Sequence, residues 1–338
     1  MTLERLKQEW LPVIETSLNE EVHFHHFGRS QALREMLSYH LGWETGPESP
    51  TSRGKRIRPL LTLLTAGAFL ADPADVMPAA ISIELLHNFT LIHDDIEDRS
   101  PLRHGRSTLW KQWGIAQAIN AGDALFSIAQ LAMLRLDETT NPNIALKAAE
   151  KLNQVCLHLT RGQYLDIAFE TDDSIDVATY LDMIEGKTAA LVAFSAWAGG
   201  LVAQCHESDL DMLHLFGENL GLAFQMQDDY LGVWGDPEVT GKSAASDLLS
   251  RKISLPVLYG IEHCPEFYEL WKQPSPDEAR VKKMAVLLED CGAGKYVKTL
   301  SENHTQQAFT SLKKLFPQQN DYSNGLNELT LRLLKREA

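Results

Sequence analysis

The stretch Ile83-Glu-Leu-Leu-His-Asn-Phe-Thr-Leu-Ile-His-Asp-Asp-Ile-Glu-Asp98 decides how the rest of the chain is read. Taken as a helix, it gathers three carboxylates at one end. Asp94 and Asp98 project ~40° apart and ~6 Å along the axis. Asp95 lies ~100° from Asp94, so all three share one polar side. Upstream, Ile83, Leu86, Thr90 and Leu91 keep a mainly apolar spacing, which carries the helix through a core. Like charges at the mouth of an apolar helix repel and lose hydration unless a cation compensates them. A solvated acidic helix end is the plain alternative. On this stretch alone the two weigh equally.

The chain has 338 residues, enough for a large core as one domain or two. Its 31 Lys+Arg against 46 Asp+Glu leave a net charge of −15, which argues against non-specific nucleic-acid binding. Local basic pockets remain open to it. Cys156, Cys205, Cys264 and Cys291 are scattered, without zinc spacing or a disulfide framework, so a reducing cytoplasm is expected. Met1–Trp10 carries four charges and lacks the apolar core of a signal peptide. Thr188–Cys205 is an uncharged run at the threshold length for a membrane span. Its Ala and Gly content and its flanks, Lys187 and His206-Glu207, read instead as a helix buried within a bundle.

Residues 1–45 read as one or two weakly amphipathic helices, and the histidines of Val22–Gly28 as a loop-adjacent cluster rather than a metal site. Thr45–Gly54 is a loop, and a helix is expected over Pro59–Leu70 with proline first. Beyond Asp98 comes a polar loop, Arg99–Ser107. Helical patterns then cover 115–136, 144–169, 176–186, 188–204 and 209–233, broken by turns such as Thr139–Pro142 and Glu170–Ser174. No alternating β-branched runs stand out, so no sheet is expected. Cys264–Pro276 reads as a surface loop, with two or three helices to follow. The chain reads as a single all-α domain over 1–338.

A second acidic helix end lies in Phe224-Gln-Met-Gln-Asp-Asp-Tyr-Leu-Gly232, where Asp228 and Asp229 follow an apolar helix. Two such ends facing each other across a bundle could form one cage of oxygen ligands. Oxygen ligands without cysteine suit magnesium, which keeps waters and is completed by substrate phosphates. Cations accompany both ends. Gly54-Lys-Arg-Ile-Arg-Pro59 offers Lys55, Arg56 and Arg58 at a helix start, where anions are favoured. Arg103 and Arg106 follow the first cluster, Lys242 and Lys252 the second, and Lys187-Thr188 sits where one helix gives way to another. Metal-clamped diphosphate opening onto apolar helices describes an ionisation site for an allylic diphosphate. There the metal pulls on the leaving group, cations stabilise its charge, and a dry cavity protects the carbocation.

With these motifs the sequence resembles the trans-isoprenyl diphosphate synthases, or polyprenyl synthetases. The resemblance spans residues from about 50 to about 260 and rests on an ordered set. The set comprises Gly54–Pro59, Asp94–Asp98, Gly122-Asp123, Gly162-Gln163, Gly186-Lys-Thr188, Phe224-Gln225 with Asp228-Asp229, and Lys242…Asp247…Lys252. It implies about ten or more helices around a deep central cavity, usually in a homodimer. It also implies prenyl transfer from an allylic diphosphate to isopentenyl diphosphate, with three magnesium ions when substrate is bound. Asp94, Asp98 and Asp228 would bind metal, with Asp95 and Asp229 in support. Arg103, Lys187 and Lys242 would contact the allylic diphosphate. Lys55, Arg58 and His87 would hold isopentenyl diphosphate. Thr188 and Gln225 would line the reacting carbons, and Lys252 would help close the site. The released diphosphate would take the final proton.

Two positions depart from the family pattern. His104 stands where a second arginine commonly contacts isopentenyl diphosphate, and would replace it weakly. Gly232 stands where the second motif usually ends in a third aspartate. In the family, side chains five and four residues before the first motif set the floor for the growing hydrocarbon. Here these are Phe89 and Thr90, one aromatic without an insertion, as in geranylgeranyl diphosphate synthases. A C20 product is expected, with C15 or longer products as alternatives. Phe89 could equally be ordinary core packing. A class I terpene cyclase would need an Asn/Asp…Ser/Thr…Glu motif that residues 227–232 do not supply, and would not need isopentenyl diphosphate. A non-catalytic subunit that tunes a synthase would explain His104 and Gly232, yet not the retained aspartates. His93-Asp94 also matches the doublet of metal phosphohydrolases, but the further histidines of that family are missing.

Overall fold

The computed structural model describes residues 2–25, 27–28, 30–43, 54–169, 175–236 and 245–335. The expected loop Thr45–Gly54 (except Gly54), the turn Glu170–Ser174 and Lys242 lie outside the described residues.

Two helices open the chain, α1 (Thr2–Phe24) and α2 (Gln31–Leu41). The histidine run begins in the last turn of α1, where His25 Nε2 lies 3.2 Å from Glu21. Helix α3 (Ile57–Ala68) starts two residues before Pro59, because the Arg56 carbonyl accepts the first helical bond, from Leu60 N–H at 3.2 Å. Pro59 is still within the turn whose N–H groups have no helical partner, so the ring does no harm there. From Pro59 to Ala68 every residue is buried.

A 3₁₀ turn capped by Asp72 leads into α4 (Met77–Glu97), the acidic-ended helix. The polar loop after it holds one small antiparallel ladder, β1 (Leu102–Arg103) with β2 (Arg106–Ser107), where no sheet was expected. Its two-residue turn, His104-Gly105, has φ of 50° and 77°, the doubly left-handed geometry that suits the twist of a hairpin. Two residues per strand leave no alternation to read.

Then follow α5 (Leu109–Trp113), α6 (Ile115–Leu134), α7 (Leu136–Thr139), α8 (Pro142–Ala168) and α9 (Val177–Ile184). A π turn over Glu185–Ala189 joins α9 to α10 (Ala190–Val202), and α11 spans Glu207–Trp234. The chain closes with α12 (Ser246–Ser250), α13 (Leu255–His263), α14 (Pro265–Trp271), α15 (Glu278–Asp290), α16 (Ala293–Leu315) and α17 (Asp321–Lys335). Helix α14 corrects the reading of Cys264–Pro276 as a surface loop. Phe267 and Trp271, one turn apart, are 0% and 5% exposed and stack at 5.8 Å, so burial of two large rings fixes the short helix.

The fold is all-α. Helix α4 lies along α6, α10 against α3 and α11, and α11 against α16. Every residue of α10 but Val192 is buried, as befits a helix apolar on all sides. Among the described residues no helix is long and apolar enough to cross a membrane. The core falls into four apolar clusters, and α11 contributes to each, through Leu210, Phe216, Val233 and Met226 in turn. A buried ion cluster ties the first four helices together. Arg56 stands before α3 with a left-handed φ of 47°, which turns its guanidinium inward. It donates to Glu15 of α1 at 2.7 Å, Glu84 of α4 at 2.8 Å and the Leu41 carbonyl of α2 at 3.1 Å. Burial opposes its charge, but Glu84 and Glu15 outweigh that and raise its pKa. Arg56 is thus held by partners on three helices.

Candidate active site

The three aspartates that end α4 differ in setting. Asp95 is buried and accepts from Arg103, Nε to Oδ1 at 3.0 Å and Nη2 to Oδ1 at 2.9 Å. Asp94 is half-buried and Asp98, the C-cap, is exposed. Burial pushes the Asp94 carboxyl up to about 6; Lys187 and Arg103 pull the other way, while Asp98 and Glu97 add to the rise. A carboxylate held in that state gains from a nearby cation.

The pair ending α11 is just as unequal. Asp229 is buried and clamps three elements. It accepts from the Tyr180 hydroxyl of α9, from Gln225 Nε2 at 3.0 Å, and from Leu255 N–H at the start of α13 at 3.2 Å. Burial raises its pKa to about 6, against the pull of Lys252 and these donors. Asp228 is half-buried beside it. Gln225 also accepts from Thr188 Oγ1 at 3.0 Å, so it fixes the π turn as well as Asp229. Lys187 is paired with Asp166 of α8. The π turn and α8 touch backbone to backbone: a Cβ on Gly162 would lie 2.2 Å from Lys187 N. Such turns recur at functional sites.

Gly232, the missing third aspartate, has a local reason. A Cβ there would lie 2.2 Å from Asp247 Oδ2, so the Asp247 carboxylate occupies that space. Lys252 keeps solvent access; desolvation opposes its charge, but Asp229, Asp247, Asp166 and Asp228 prevail and raise its pKa.

A cavity of about 670 Å³ opens beside α4, and Lys55, Arg58, His87 and His104 all line it, together with Asp95 and Arg103. Arg58 Nε is buried with no hydrogen-bond partner, and burial lowers its pKa, offset in part by Glu84. Burial, then Arg58 and Arg103, hold His87 well below the usual histidine range, which favours its neutral form. Lys55 and His104 are exposed. The sequence reading missed His40, Tyr39 and Asn88 in this wall, which Phe224 of the second acidic motif also lines. His40 is pushed down to about 3, by burial first and then by Arg103, Arg56 and Arg106. Its Nε2 is buried without a partner. Only folding brings α2 to this place, so no local signal marked it.

Residues 47–288 match the family model described as polyprenyl synthetase. The chain belongs to that family. It is 45% identical over 233 residues to the (2E,6E)-farnesyl diphosphate synthase of Mycobacterium tuberculosis, covering 68% of this chain and 64% of that one. It is 36% identical over 317 residues to the geranylgeranyl diphosphate synthase of the same organism, covering 92% of this chain and 87% of the relative. Among solved structures it is similar to a polyprenyl synthase of Caulobacter crescentus in complex with calcium and isoprenyl diphosphate. That likeness has a TM-score of 0.85 and 28% identity, over 100% of this chain and 98% of the other.

Two further features of this polyprenyl synthetase bear on what it could bind. Phe89 meets Phe126 of α6, which the sequence reading overlooked, at 5.2 Å between ring centroids, and His93 at 4.7 Å. Gly122 makes room for that ring, since a Cβ there would lie 2.4 Å from His93 Nε2. Thr90 Oγ1 donates to the His87 carbonyl at 2.8 Å. Among the described residues no three histidine, cysteine or carboxylate side chains are grouped closely enough to hold a metal by themselves. A hard cation such as magnesium is bound by one or two protein carboxylates and completed by substrate oxygens and water. The donor set, half-buried or exposed carboxylates on two helix ends, is of the right chemistry for it.

Proposed function

We propose that this protein is a prenyltransferase, a single-domain trans-polyprenyl diphosphate synthase. It would condense isopentenyl diphosphate with an allylic diphosphate to geranylgeranyl diphosphate. One observation carries this: Lys55, Arg58, His87 and His104 line one cavity, and the buried Asp95 of the first acidic helix end lines it too. A second anion-binding wall is what a condensing enzyme needs and a cyclase does not. Membership of the family and the names of the relatives support it.

Asp94 and Asp98 of α4 and Asp228 of α11 would hold the magnesium ions, three in the substrate complex, which supply Lewis-acid pull on the departing diphosphate. Asp95 and Asp229, each engaged by protein donors, position the helix ends. Arg103, Lys187, Lys242 and Lys252 would stabilise the charge that develops on the leaving group. Lys55, Arg58 and neutral His87 would hold the second diphosphate so that its carbon–carbon double bond meets the allylic cation. Thr188 and Gln225, linked by their hydrogen bond, would face the reacting carbons. The released diphosphate would then accept the proton lost as the new double bond forms.

The side chains of α4 deep to Asp94 favour a C20 product, with Phe89 as floor and Thr90 leaving room. The farnesyl-synthase relative and the second aromatic, Phe126, favour C15 instead. Exposed apolar residues on α6 and α8, among them Ile119, Leu131 and Leu157, support a homodimer. A cytoplasmic setting accords with four cysteines outside any disulfide. Incubation with magnesium, isopentenyl diphosphate and dimethylallyl, geranyl or farnesyl diphosphate tests the whole reading. A C20 diphosphate is expected. C15 as the end product would reverse the assignment of the floor. Cyclic hydrocarbon made without isopentenyl diphosphate would overturn the reaction class.

A further inference from the structure

The family pattern puts a second arginine at position 104, and this chain has His104. The structure places that residue at the tip of the hairpin, exposed and in left-handed backbone, while Gly105 completes the turn. The ladder register pairs Arg103 directly with Arg106. Residues opposite each other across a ladder share one face of it, so the hairpin presents two arginines on one side. Like charges in that arrangement repel, and each is held by a separate device. Arg103 is taken by Asp95. Arg106 donates from Nη1 to the Tyr39 carbonyl at 3.1 Å and lies over the Tyr39 ring, its Cζ 4.1 Å from the centroid. Tyr39 in turn donates from its hydroxyl to the Ser107 carbonyl at 2.9 Å, which closes a ring of contacts between α2 and the hairpin.

The result is a half-buried guanidinium held in the wall of the same cavity as Lys55, Arg58 and His87. The contact to the Tyr39 carbonyl engages Nη1, and a guanidinium carries five N–H donors in a planar fork whose geometry matches phosphate oxygens. The charge absent at 104 is present two residues later, on a rigid support.

We propose that Arg106 binds the diphosphate of isopentenyl diphosphate in place of the arginine this chain lacks at 104, so that the Tyr39–Arg106 stack sets affinity for that substrate. The proposal rests on the prenyltransferase reading above. A purely structural clamp between α2 and the hairpin is the rival role for the same contacts.

The two roles separate by rescue. Arg106→Gln, Arg106→Lys and Arg106→Gln combined with His104→Arg are assayed with each substrate varied at saturation of the other. Arg106→Gln should raise the KM for isopentenyl diphosphate about tenfold, the size of one charge-assisted hydrogen bond, with the loss falling on that KM rather than on kcat. Arg106→Lys should recover part of it, and His104→Arg in the Gln background most of it. Without turnover, inorganic diphosphate in the absence of divalent cation should raise the thermal midpoint of the wild type. That shift should shrink in Arg106→Gln and return in the double variant. If the KM values for both substrates and kcat change together, and His104→Arg restores nothing, Arg106 is the clamp and the proposal falls. A wild type with no turnover that depends on isopentenyl diphosphate would instead overturn the underlying function, and this assignment with it.

Discussion

Arg56→Ala tests Arg56 as a cation of the fold, apart from Lys55 and Arg58, for which substrate binding is proposed. In the folded protein Arg56 and Glu84 are each 4% exposed, and their contact is 2.8 Å. Removing the guanidinium leaves the Glu84 carboxylate buried, with Asn88 Nδ2 at 3.2 Å as its remaining side-chain donor to Oε1. Breaking a buried pair from one side typically costs about 3–5 kcal/mol, most of it the stranded charge. For 338 residues, at about 2.1 cal/mol/K each, the unfolding entropy near the midpoint is ~0.7 kcal/mol/K. The thermal midpoint should therefore fall by about 4–7 °C. Arg56→Lys should lose an intermediate amount, because one ammonium cannot reproduce the fork that reaches Glu15, Glu84 and the Leu41 carbonyl at once. Combining Arg56→Ala with Glu84→Gln should cost clearly less than the sum of the single changes, since the more deeply buried of the two carboxylates is then uncharged and only the more accessible Glu15 loses its partner. A loss below about 1 kcal/mol for Arg56→Ala, or strict additivity in that cycle, would refute the assignment of Arg56 to the fold.

Other outcomes follow from single contacts. Phe126→Ala should lengthen the product, because it removes the ring that backs Phe89; unchanged product size on chromatography would exclude Phe126 from the floor. Gly162→Ala drives a Cβ into the backbone at Lys187, and a displacement near 1 Å there should lower kcat about a hundredfold with the fold intact by circular dichroism. Gly232→Asp, although it restores the family pattern, should lower the thermal midpoint and not raise kcat, since Asp247 already fills the space. Asp94 and Asp229 have pKa values raised by burial from the ordinary 3.8 to about 6. The stability that their neutral forms contribute is complete below about pH 4 and is lost as pH rises through about 6. Metal-free protein should thus melt higher at pH 5 than at pH 7. Asp94→Asn should flatten part of that slope and raise the pH 7 midpoint, a trade of function for stability readable by thermal denaturation.

The helix that ends in Asp94–Asp98 was legible because its signal is local: apolar spacing and acidic residues lie on the same few turns. So were α6, α8, α10 and α11, whose patterns are long enough to show a period. What was not legible depends on partners far along the chain. Lys55, Arg56 and Arg58 look alike in a string, and only Glu15 and Glu84, 41 residues before and 28 after, single out Arg56. His40, Tyr39 and Phe126 carry no motif, and they reach the site because α2 and α6 fold back against it. The unequal burial of Asp94 and Asp95 likewise comes from Arg103, which the hairpin returns to α4. Helix α14 escaped notice because two turns with one pair of rings resemble a proline-bounded loop.

The π turn between α9 and α10 acts as a phase shifter. Tyr180 and Thr188 both serve α11, at Asp229 and at Gln225, residues one turn apart on a single face. Eight positions along an uninterrupted α-helix would set them about 80° apart. The wider turn absorbs one residue and brings them back to within about 20°. A one-residue deletion anywhere in Glu185–Ala189 would yield a smoother, more regular helix. Taken out between Tyr180 and Thr188, the residue would leave the two seven positions apart and still within about 20°, so the bulge adds one extra residue at this edge without turning either side chain away from α11.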